Sequence, residues 1–311
     1  MLAIVLGGTG AIGGATALRL AQAGWDVAVT GRNAAAMPLE LAAADVRFHA
    51  IERSGTREIQ ALVGEGADLL VDLLAYRAAD VRALLPVMAS AACTVLVSSR
   101  AVYIDGEGRH INGDEPPWFD CPIGEDAPTL RPAGDDVSPF SREGYAPCKV
   151  AAEQVALDSG LPVTVIRPSK VHGRWARNAR TRSFVTRMRS GEPAIALAAR
   201  GASVDHLAAA SNTAALIQTV AARPGSRILN SADPDAPTAA QIVRAIGARL
   251  GWSGTLELLE DDDPESERGQ HPWQSAHPIV LDVEKSHALG YAPVGTALDL
   301  LVEEVDWVAA Q

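Results

Sequence analysis

Cysteine is scarce in this sequence, and the pattern of its three residues argues against disulfides and against a zinc site. Cys93, Cys121 and Cys148 are odd in number and form no CxxC pair. The histidines are scattered, with no pair at ligand spacing, so we predict no metal site. We interpret the three cysteines as reduced thiols, which is typical of a cytoplasmic protein.

The sequence also lacks a long hydrophobic run. Glycines interrupt the apolar N-terminus, and no positively charged segment precedes it, so we expect neither a membrane span nor a signal peptide. Aromatic residues make up only 5% of the chain, whereas much of its 48% hydrophobic content is alanine. Such a composition suits helices packed closely on a sheet and excludes a disordered chain.

Basic residues are outnumbered by acidic ones, and the net charge of −11 argues against a nucleic-acid partner. The two signs are unevenly distributed. Residues 105–144 contain ten acidic and three basic side chains, whereas residues 167–200 contain eight arginines, one lysine and one glutamate. A basic stretch of this size on an acidic protein indicates either an anionic ligand or pairing with an acidic surface.

Apolar runs that alternate with helical spacing predict the fold class. The runs Leu2–Leu6, Trp25–Thr30, Asp68–Leu74, Thr94–Ser98 and Val163–Ile166 are apolar on both faces, as strands of a buried parallel sheet are. We therefore predict an α/β fold with a doubly wound, Rossmann-type parallel sheet.

The alternation ends after Arg167, which divides the chain into two predicted units. Residues 1–166 form the dinucleotide-binding domain, rejoined by a strand near 227–230. Residues 167–311 form most of a smaller substrate lobe, with helices near 181–190, 212–222 and 238–250. The acidic run 260–267 is predicted to be a solvated loop, and the turn 271–273 either packs in this lobe or reaches the substrate cleft.

A glycine cluster follows the first predicted strand and opens a helix. At such a turn the backbone must bend sharply and approach a pyrophosphate, which a β-carbon would obstruct, and the free amides at the helix start favour the phosphate charge. The alternative is a glycine-rich turn without a ligand. The cofactor-binding residues predicted here are Gly7, Gly8, Thr9, Gly10, Ala11, Ile12 and Gly13.

The end of the second strand bears on the choice of cofactor. NAD-selective sheets commonly carry a carboxylate there for the ribose 2′-hydroxyl, whereas an arginine accommodates a 2′-phosphate. This chain has no acid at 30–33 and has Arg32 at the tip. We therefore favour NADP(H), with NAD(H) and a merely solvated Arg32 as the alternative.

Three polar residues form a consistent acid–base set. Tyr145 and Lys149 are four residues apart at the start of a predicted helix and share a face. A neighbouring cation is expected to lower the pKa of the phenol, which makes it a better proton carrier. Ser99, at the end of the fourth predicted strand, can orient a substrate carbonyl. A YxxxK pair alone is common on protein surfaces, but its position after a glycine loop and a Ser-Ser strand end favours catalysis.

These motifs resemble those of the extended short-chain dehydrogenase/reductase superfamily, the group that contains the NAD-dependent epimerases and dehydratases, and the resemblance runs nearly end to end. The similar elements are the glycine loop, Ser98-Ser99-Arg100-Ala101-Val102-Tyr103, Tyr145 with Lys149, Arg167-Pro168-Ser169-Lys170-Val171-His172-Gly173 and Leu289-Gly290-Tyr291-Ala292-Pro293.

The resemblance implies a catalytic set of Ser99, Tyr145 and Lys149, with nicotinamide chemistry beside Tyr145 and the nicotinamide ribose held by Lys149. It further implies a homodimer. The remaining cofactor contacts that it implies are Leu74, Ala75, Ser98 and Pro168.

Three departures from the superfamily pattern bear on the reaction. Arg100-Ala101 stands where sugar-nucleotide dehydratases carry an Asp-Glu pair, so the extra acid–base pair for elimination is missing. Ser169 or Lys170 stands where many nucleotide-sugar enzymes have an asparagine at the diphosphate. An insertion at about 105–122 lengthens the segment between Ser99 and Tyr145.

Arginine forks suit phosphate and carboxylate oxygens, so the basic stretch predicts an anionic small-molecule substrate. The substrate-binding candidates are Arg100, Lys170, His172, Arg177 and Arg180. The alternative is that these arginines pair with the acidic segment or with a partner subunit.

Three functions remain open at this point. The first is NADPH-dependent reduction of a carbonyl, favoured by Arg32 and the missing dehydratase acids. The second is nucleotide-sugar epimerisation with a retained NAD. The third is a binding or regulatory role without chemistry, against which the complete Ser-Tyr-Lys set argues.

Overall fold

The computed structural model describes residues 1–260 and 268–311 of the chain. The predicted solvated loop at 260–267 therefore lies, apart from Glu260, outside the described residues. None of the described helices is long and apolar enough to cross a membrane.

A seven-stranded, wholly parallel sheet forms the centre of the molecule, in the order β10-β6-β5-β4-β1-β2-β3. This order confirms the predicted doubly wound sheet. The strands are β1 (Leu2–Leu6), β2 (Asp26–Gly31), β3 (Arg47–Ala50), β4 (Leu69–Asp72), β5 (Thr94–Val97), β6 (Val163–Pro168) and β10 (Arg227–Ser231).

Helices cover both faces of this sheet, because its strands are apolar on both sides. On β1, Ala3 and Val5 pack towards one face, and Ile4 and Leu6 towards the other. The helices are α1 (Ala11–Gln22), α2 (Leu39–Ala43), α3 (Thr56–Val63), α4 (Ala78–Met88), α5 (Tyr145–Leu157), α6 (Arg182–Arg189), α7 (Ala210–Ala221), α8 (Ala239–Leu250), α9 (Glu284–Ala288) and α10 (Ala297–Ala309).

Two short parallel strand pairs belong to the C-terminal part of the chain: β7 (Lys170–His172) with β9 (Leu207–Ala209), and β8 (Ala194–Leu197) with β11 (Thr255–Leu258). Helices α6, α8 and α10 enclose a separate core around Phe184 and Ile242. Trp273 is buried in it, with its ring centroid 5.5 Å from that of Phe184, so the turn 271–273 is a packed turn.

The acidic segment 105–144 has little regular secondary structure but is held in place by a buried carboxylate. Asp105 accepts hydrogen bonds from the backbone amides of Glu107, Arg109 and Trp118 and from the Arg109 guanidinium, at 2.7 to 2.9 Å. Phe119 anchors the segment in a small hydrophobic core built from residues of both halves of the chain. The insertion is therefore an ordered part of the fold.

Candidate active site

The glycine turn between β1 and α1 is as compact as the sequence predicted. Gly7 has φ +89°, a left-handed value that favours glycine, and a β-carbon on Gly13 would lie 2.4 Å from the carbonyl oxygen of Gly7. Inside α1, Gly14 is the first residue whose amide donates to a helical carbonyl, that of Gly10 at 2.7 Å, and the first turn holds no acid. The helix start therefore fits the phosphates of a dinucleotide.

A cleft of about 1310 Å³ runs along this turn and is large enough for a dinucleotide. Of the predicted cofactor residues, Gly7, Thr9–Gly13, Arg32 and Leu74 line it. Gly8 lies behind the turn, where a β-carbon would meet Val29 at 2.4 Å. The opposite wall comes from residues 176–178, in the stretch after Arg167, and from residues 135–140, which no sequence motif had assigned to the cofactor.

Arg32 is exposed at the end of the cleft reached by β2, in agreement with its predicted place. Two further charged residues after β3, Glu52 and Arg53, line the same end. Arg53 is already engaged, because its guanidinium lies 2.7 Å from the buried carboxylate of Asp72. Arg32 is therefore the cation at this end that is best placed for a cofactor phosphate.

Lys149 is buried beneath the cleft, and its ammonium group faces main-chain carbonyls. Its Nζ donates to the carbonyl oxygens of Ala75 at 2.8 Å and Val97 at 3.0 Å, and the ring of Tyr76 covers it at 4.8 Å. Burial lowers the pKa of Lys149 to about 8, against the attraction of Asp72. Tyr76 was missed at the sequence level, although it directly follows the predicted cleft residues Leu74 and Ala75.

Ser99 and Tyr145 meet in a second pocket, of about 600 Å³. The hydroxyl of Ser99 is near enough to the phenol to act on its pKa. The Ser99 Oγ also accepts the amide of Ala101 at 3.1 Å, which leaves its own hydrogen free to donate. Arg180 lines both this pocket and the cofactor cleft, so the two cavities adjoin.

The expected lowering of the Tyr145 pKa is not observed. Burial raises the pKa of Tyr145, and the nearby hydroxyl of Ser99 offsets only part of that effect. The ammonium nitrogen of Lys149 lies 6.0 Å from the centroid of the phenol ring, and it donates hydrogen bonds to main-chain carbonyl oxygens. The phenol is therefore protonated at neutral pH and has the character of a proton donor.

Two of the predicted substrate residues meet at one buried carboxylate in this pocket. Asp205 forms ion pairs with both Arg100 and Lys170. Arg180 lies beside them and donates to the carbonyl oxygen of Val171 at 2.9 Å. Asp205 is 35 residues from Lys170 in sequence, and no motif marked it in advance.

The other wall of the pocket is formed by the insertion. His110 to Pro117 line it, opposite Gln274 to His277 from the C-terminal part. The ring of Trp118 stacks on His277 with a centroid separation of 4.3 Å, which ties the two segments together. The long acidic segment thus shapes this pocket.

Two predicted substrate residues, His172 and Arg177, do not line the pocket that holds Ser99 and Tyr145. His172 is buried, with its Nε2 2.9 Å from the carboxylate of Asp233, because β7 turns its side chain towards the lobe interior. Asp233 also accepts from the amide of Ala209 and the side chain of Asn212, so the pair is a structural one. Arg177 is exposed on the wall of the cofactor cleft.

Two predicted cofactor residues, Ser98 and Pro168, line neither of these cavities. The hydroxyl of Ser98 donates into the sheet interior, to Glu153, which is paired with Arg167 at 2.6 Å. Pro168 is the last residue of β6, opposite Ser231 of β10. The carbonyl of Ala75 contributes only through its hydrogen bond to Lys149.

Comparison with known protein families gives a match to one family model over the first third of the chain. Residues 3–102 match the model of the NAD dependent epimerase/dehydratase family. This match confirms the resemblance inferred from the motifs. A comparison with curated protein sequences finds no match.

Solved structures share the fold over the whole chain. A dTDP-glucose 4,6-dehydratase from Bacillus anthracis, in complex with NAD, is 18% identical, with a TM-score of 0.72 and coverage of 100% of this chain and 97% of that one. A UDP-glucose 4-epimerase from Thermotoga maritima with UDP-glucose is 18% identical (TM-score 0.70; 99% and 98% covered). A UDP-glucose-4-epimerase from Stenotrophomonas maltophila with NAD and formylated UDP-arabinopyranose is 17% identical (TM-score 0.73; 100% and 98% covered). At these identities the likeness establishes the fold.

Proposed function

We propose that this chain is an NAD(P)-dependent oxidoreductase. Its residues 3–102 match the NAD-dependent epimerase/dehydratase family, and its whole length takes the fold of solved epimerases and dehydratases. Its proposed reaction is the NADPH-dependent reduction of a carbonyl group on a small anionic or nucleotide-linked substrate. Tyr145 is the acid–base residue.

The observation that carries this proposal is that Ser99 and Tyr145 line one pocket, which adjoins a dinucleotide-sized cleft. Ser99 accepts from the Ala101 amide, so its hydrogen can be donated to a carbonyl oxygen. The pKa of Tyr145 is raised, so its phenol holds the proton that such an oxygen needs on reduction. Both groups can thus serve a carbonyl oxygen that is being reduced.

The cofactor fits the residues around the cleft. The amides at the start of α1 would hold its pyrophosphate, and Arg32 its 2′-phosphate. The bound nicotinamide supplies the hydride. Lys149 places a buried charge beside the phenol and, through its bonds to Ala75 and Val97, locks the ends of β4 and β5 together beneath the cleft. Residues 135–140 form the opposite wall of the cleft.

A nucleotide-sugar epimerase is the second candidate, because the UDP-glucose epimerases named above share the fold along nearly their full length. An epimerase retains its oxidised cofactor between turnovers, whereas a reductase exchanges it. A third candidate, a binding protein without chemistry, makes no use of the phenol.

The test is to denature the purified protein and identify any released nucleotide, then to follow NADPH oxidation with a panel of carbonyl compounds. We expect an empty site, preferential NADPH affinity and oxidation that depends on Tyr145. Tightly held NAD supports the epimerase instead. A Tyr145→Phe variant with full biological activity supports the non-catalytic role.

We also propose that the protein acts as a homodimer in the cytoplasm. The three cysteines are free thiols, two of them buried, which suits a reducing compartment. Sedimentation equilibrium measures the state of association, and a monomer at micromolar concentration contradicts the dimer.

A further inference from the structure

The floor of the substrate pocket holds more positive than negative charge. Arg100 follows Ser99 directly, in a short 3₁₀ turn, and is only 8% exposed. Its guanidinium pairs with Asp205, itself 3% exposed, and lies 3.3 Å from the hydroxyl of Ser169. The arginine therefore reaches the pocket from the same turn as the catalytic serine.

Two further cations converge on the same carboxylate. Lys170 forms an ion pair with the second carboxylate oxygen of Asp205, and the negative charge of Asp205 also attracts Arg180. Burial lowers the pKa of Lys170, Asp205 opposes this effect, and the neighbouring positive charges of Arg100 and Arg180 lower the pKa further. The three cations thus repel one another around one shared anion.

The other nearby carboxylates do not neutralise the excess positive charge around Asp205. Glu304 attracts Arg180, but its oxygens accept hydrogen bonds from the amide of Gly173 and from the amide and hydroxyl of Thr181. At the rim, Asp114 is exposed and pairs with Arg142 at 3.1 Å. Glu115 is also exposed. Buried charges are ordinarily paired, so three cations around one carboxylate leave room for a second anion.

We propose that Arg100, Lys170 and Arg180, braced by Asp205, form a subsite for a carboxylate or phosphate group of the substrate. Arg100 is the neighbour of Ser99, and the pocket holds both Ser99 and Tyr145. The anionic group therefore lies within a few bonds of the reacting carbon. Resting on the proposed reduction, this geometry assigns the substrate to the oxo acids or phosphorylated carbonyl compounds.

The subsite is tested by calorimetric titration of the purified chain with malonate and with inorganic phosphate, and with malonamide as the neutral counterpart of malonate. We expect at least one anion to bind and malonamide not to bind. Lys170→Gln and, separately, Arg180→Gln weaken anion binding by about tenfold or more. The matched control is Arg174→Gln, an exposed arginine of the same stretch that lines neither the pocket nor the cofactor cleft.

Each result decides the proposal. Malonate binding alone assigns an oxo acid, and phosphate binding alone a phosphorylated substrate. The subsite is overturned if neither anion binds, if malonamide binds as well as malonate, or if both pocket variants bind like the wild type. Circular dichroism identifies a variant that has not folded, in which case the other variant decides.

The outcome separates the subsite from the reaction. A Tyr145→Phe variant should bind the anion as the wild type does, because its phenol is not part of the cluster. Retained anion binding without NADPH oxidation on any carbonyl refutes the reaction and leaves the subsite. NADPH oxidation that is retained refutes the subsite and leaves the reaction if two comparisons both show equal rates: an oxo acid against its methyl ester, and a phosphorylated carbonyl compound against its unphosphorylated counterpart.

Discussion

The ring of Tyr76 covers the ammonium group of Lys149, with the nitrogen 4.8 Å from the ring centroid. The same nitrogen donates to the carbonyl oxygen of Ala75, the residue before the tyrosine. The turn after β4 therefore encloses the lysine from two sides. Its shape depends on Asp72, whose carboxylate accepts the amide of Leu74 at 2.9 Å. The buried lysine and this turn form one unit.

Removal of the Tyr76 ring should raise the pKa of Lys149. Burial is the main reason that this pKa lies near 8, and Tyr76→Ala admits water, which favours the charged ammonium. We expect the alkaline limb of the pH profile of kcat/KM to report the Lys149 ammonium group. The limb should lie near pH 8 in the wild type and at a higher pH in Tyr76→Ala. Tyr76→Phe keeps the ring and is the matched control. A limb that moves down would show that the cation–π contact outweighs burial.

Loss of the Tyr145 hydroxyl should abolish proton donation without disturbing the cofactor cleft, which this side chain does not line. We expect Tyr145→Phe to reduce kcat by about 10²- to 10⁴-fold. NADPH affinity, measured by fluorescence titration, should change little. Tyr291→Phe is the control, since Tyr291 is buried in the sheet core away from both cavities. Equal activity of the two variants would contradict the assigned role.

Replacement of Arg32 should separate the two nicotinamide cofactors. Hydrogen bonds to a charged group contribute about 1.5–3 kcal/mol, so Arg32→Ala should weaken NADPH binding by about ten- to a hundredfold and NADH binding little. Both dissociation constants come from fluorescence titration. Arg47→Ala, an exposed arginine paired with Asp26 and absent from the cleft wall, is the control. Equal losses for NADPH and NADH would remove the basis for NADP preference.

Local sequence patterns predicted the parts of the molecule that depend on local physics. The buried strands and the glycine turn were predictable because apolar periodicity and the need for a left-handed residue such as Gly7 are both local properties. The short strand β3 was missed. Only Phe48 and His49 of its four residues are even partly buried, so its pattern is weak.

The floor of the substrate pocket could be predicted only in part, since its contacts join distant segments. Arg100 and Lys170 were found through their motifs, but Asp205, which pairs with both, has no local signature. His172 shows the opposite error. Its motif placed it near the substrate, whereas the pairing with Asp233, 61 residues away, turns it into the lobe. Sequence motifs locate a backbone position and do not determine where the side chain points.

Asp105 should stabilise the insertion in a pH-dependent way. Burial alone would raise the pKa of this carboxyl, but the amide of Trp118 and the guanidinium of Arg109 outweigh it and hold the pKa well below its usual range. A depressed pKa stabilises the fold above the unfolded value, near 3.9, and this contribution is lost as the pH falls below that value.

Asp105→Asn should therefore lower Tm at pH 7, and the difference in Tm between variant and wild type should become smaller below about pH 4. It should also raise KM, because His110 to Pro117 line the substrate pocket, while NADPH affinity is kept. Asp120→Asn, an exposed acid of the same segment, is the control. A gap that does not change with pH would show that the charge of Asp105 is not what holds the loop.

Gly14 and Trp175 join the C-terminal part of the chain to the cofactor-binding helix. A β-carbon on Gly14 would lie 2.4 Å from Cε3 of Trp175, whose indole is buried in the core and has little room to withdraw. Gly14→Ala should therefore destabilise the fold by about 1–3 kcal/mol, as overpacking does, measured by urea denaturation. Gly66→Ala is the control, since its β-carbon would meet only the Ser90 carbonyl at an ordinary 3.5 Å.

Because the strained helix begins at the glycine turn, Gly14→Ala should also weaken NADPH binding. A destabilised variant with unchanged cofactor affinity would mean that the contact supports the fold without positioning the phosphate-binding turn.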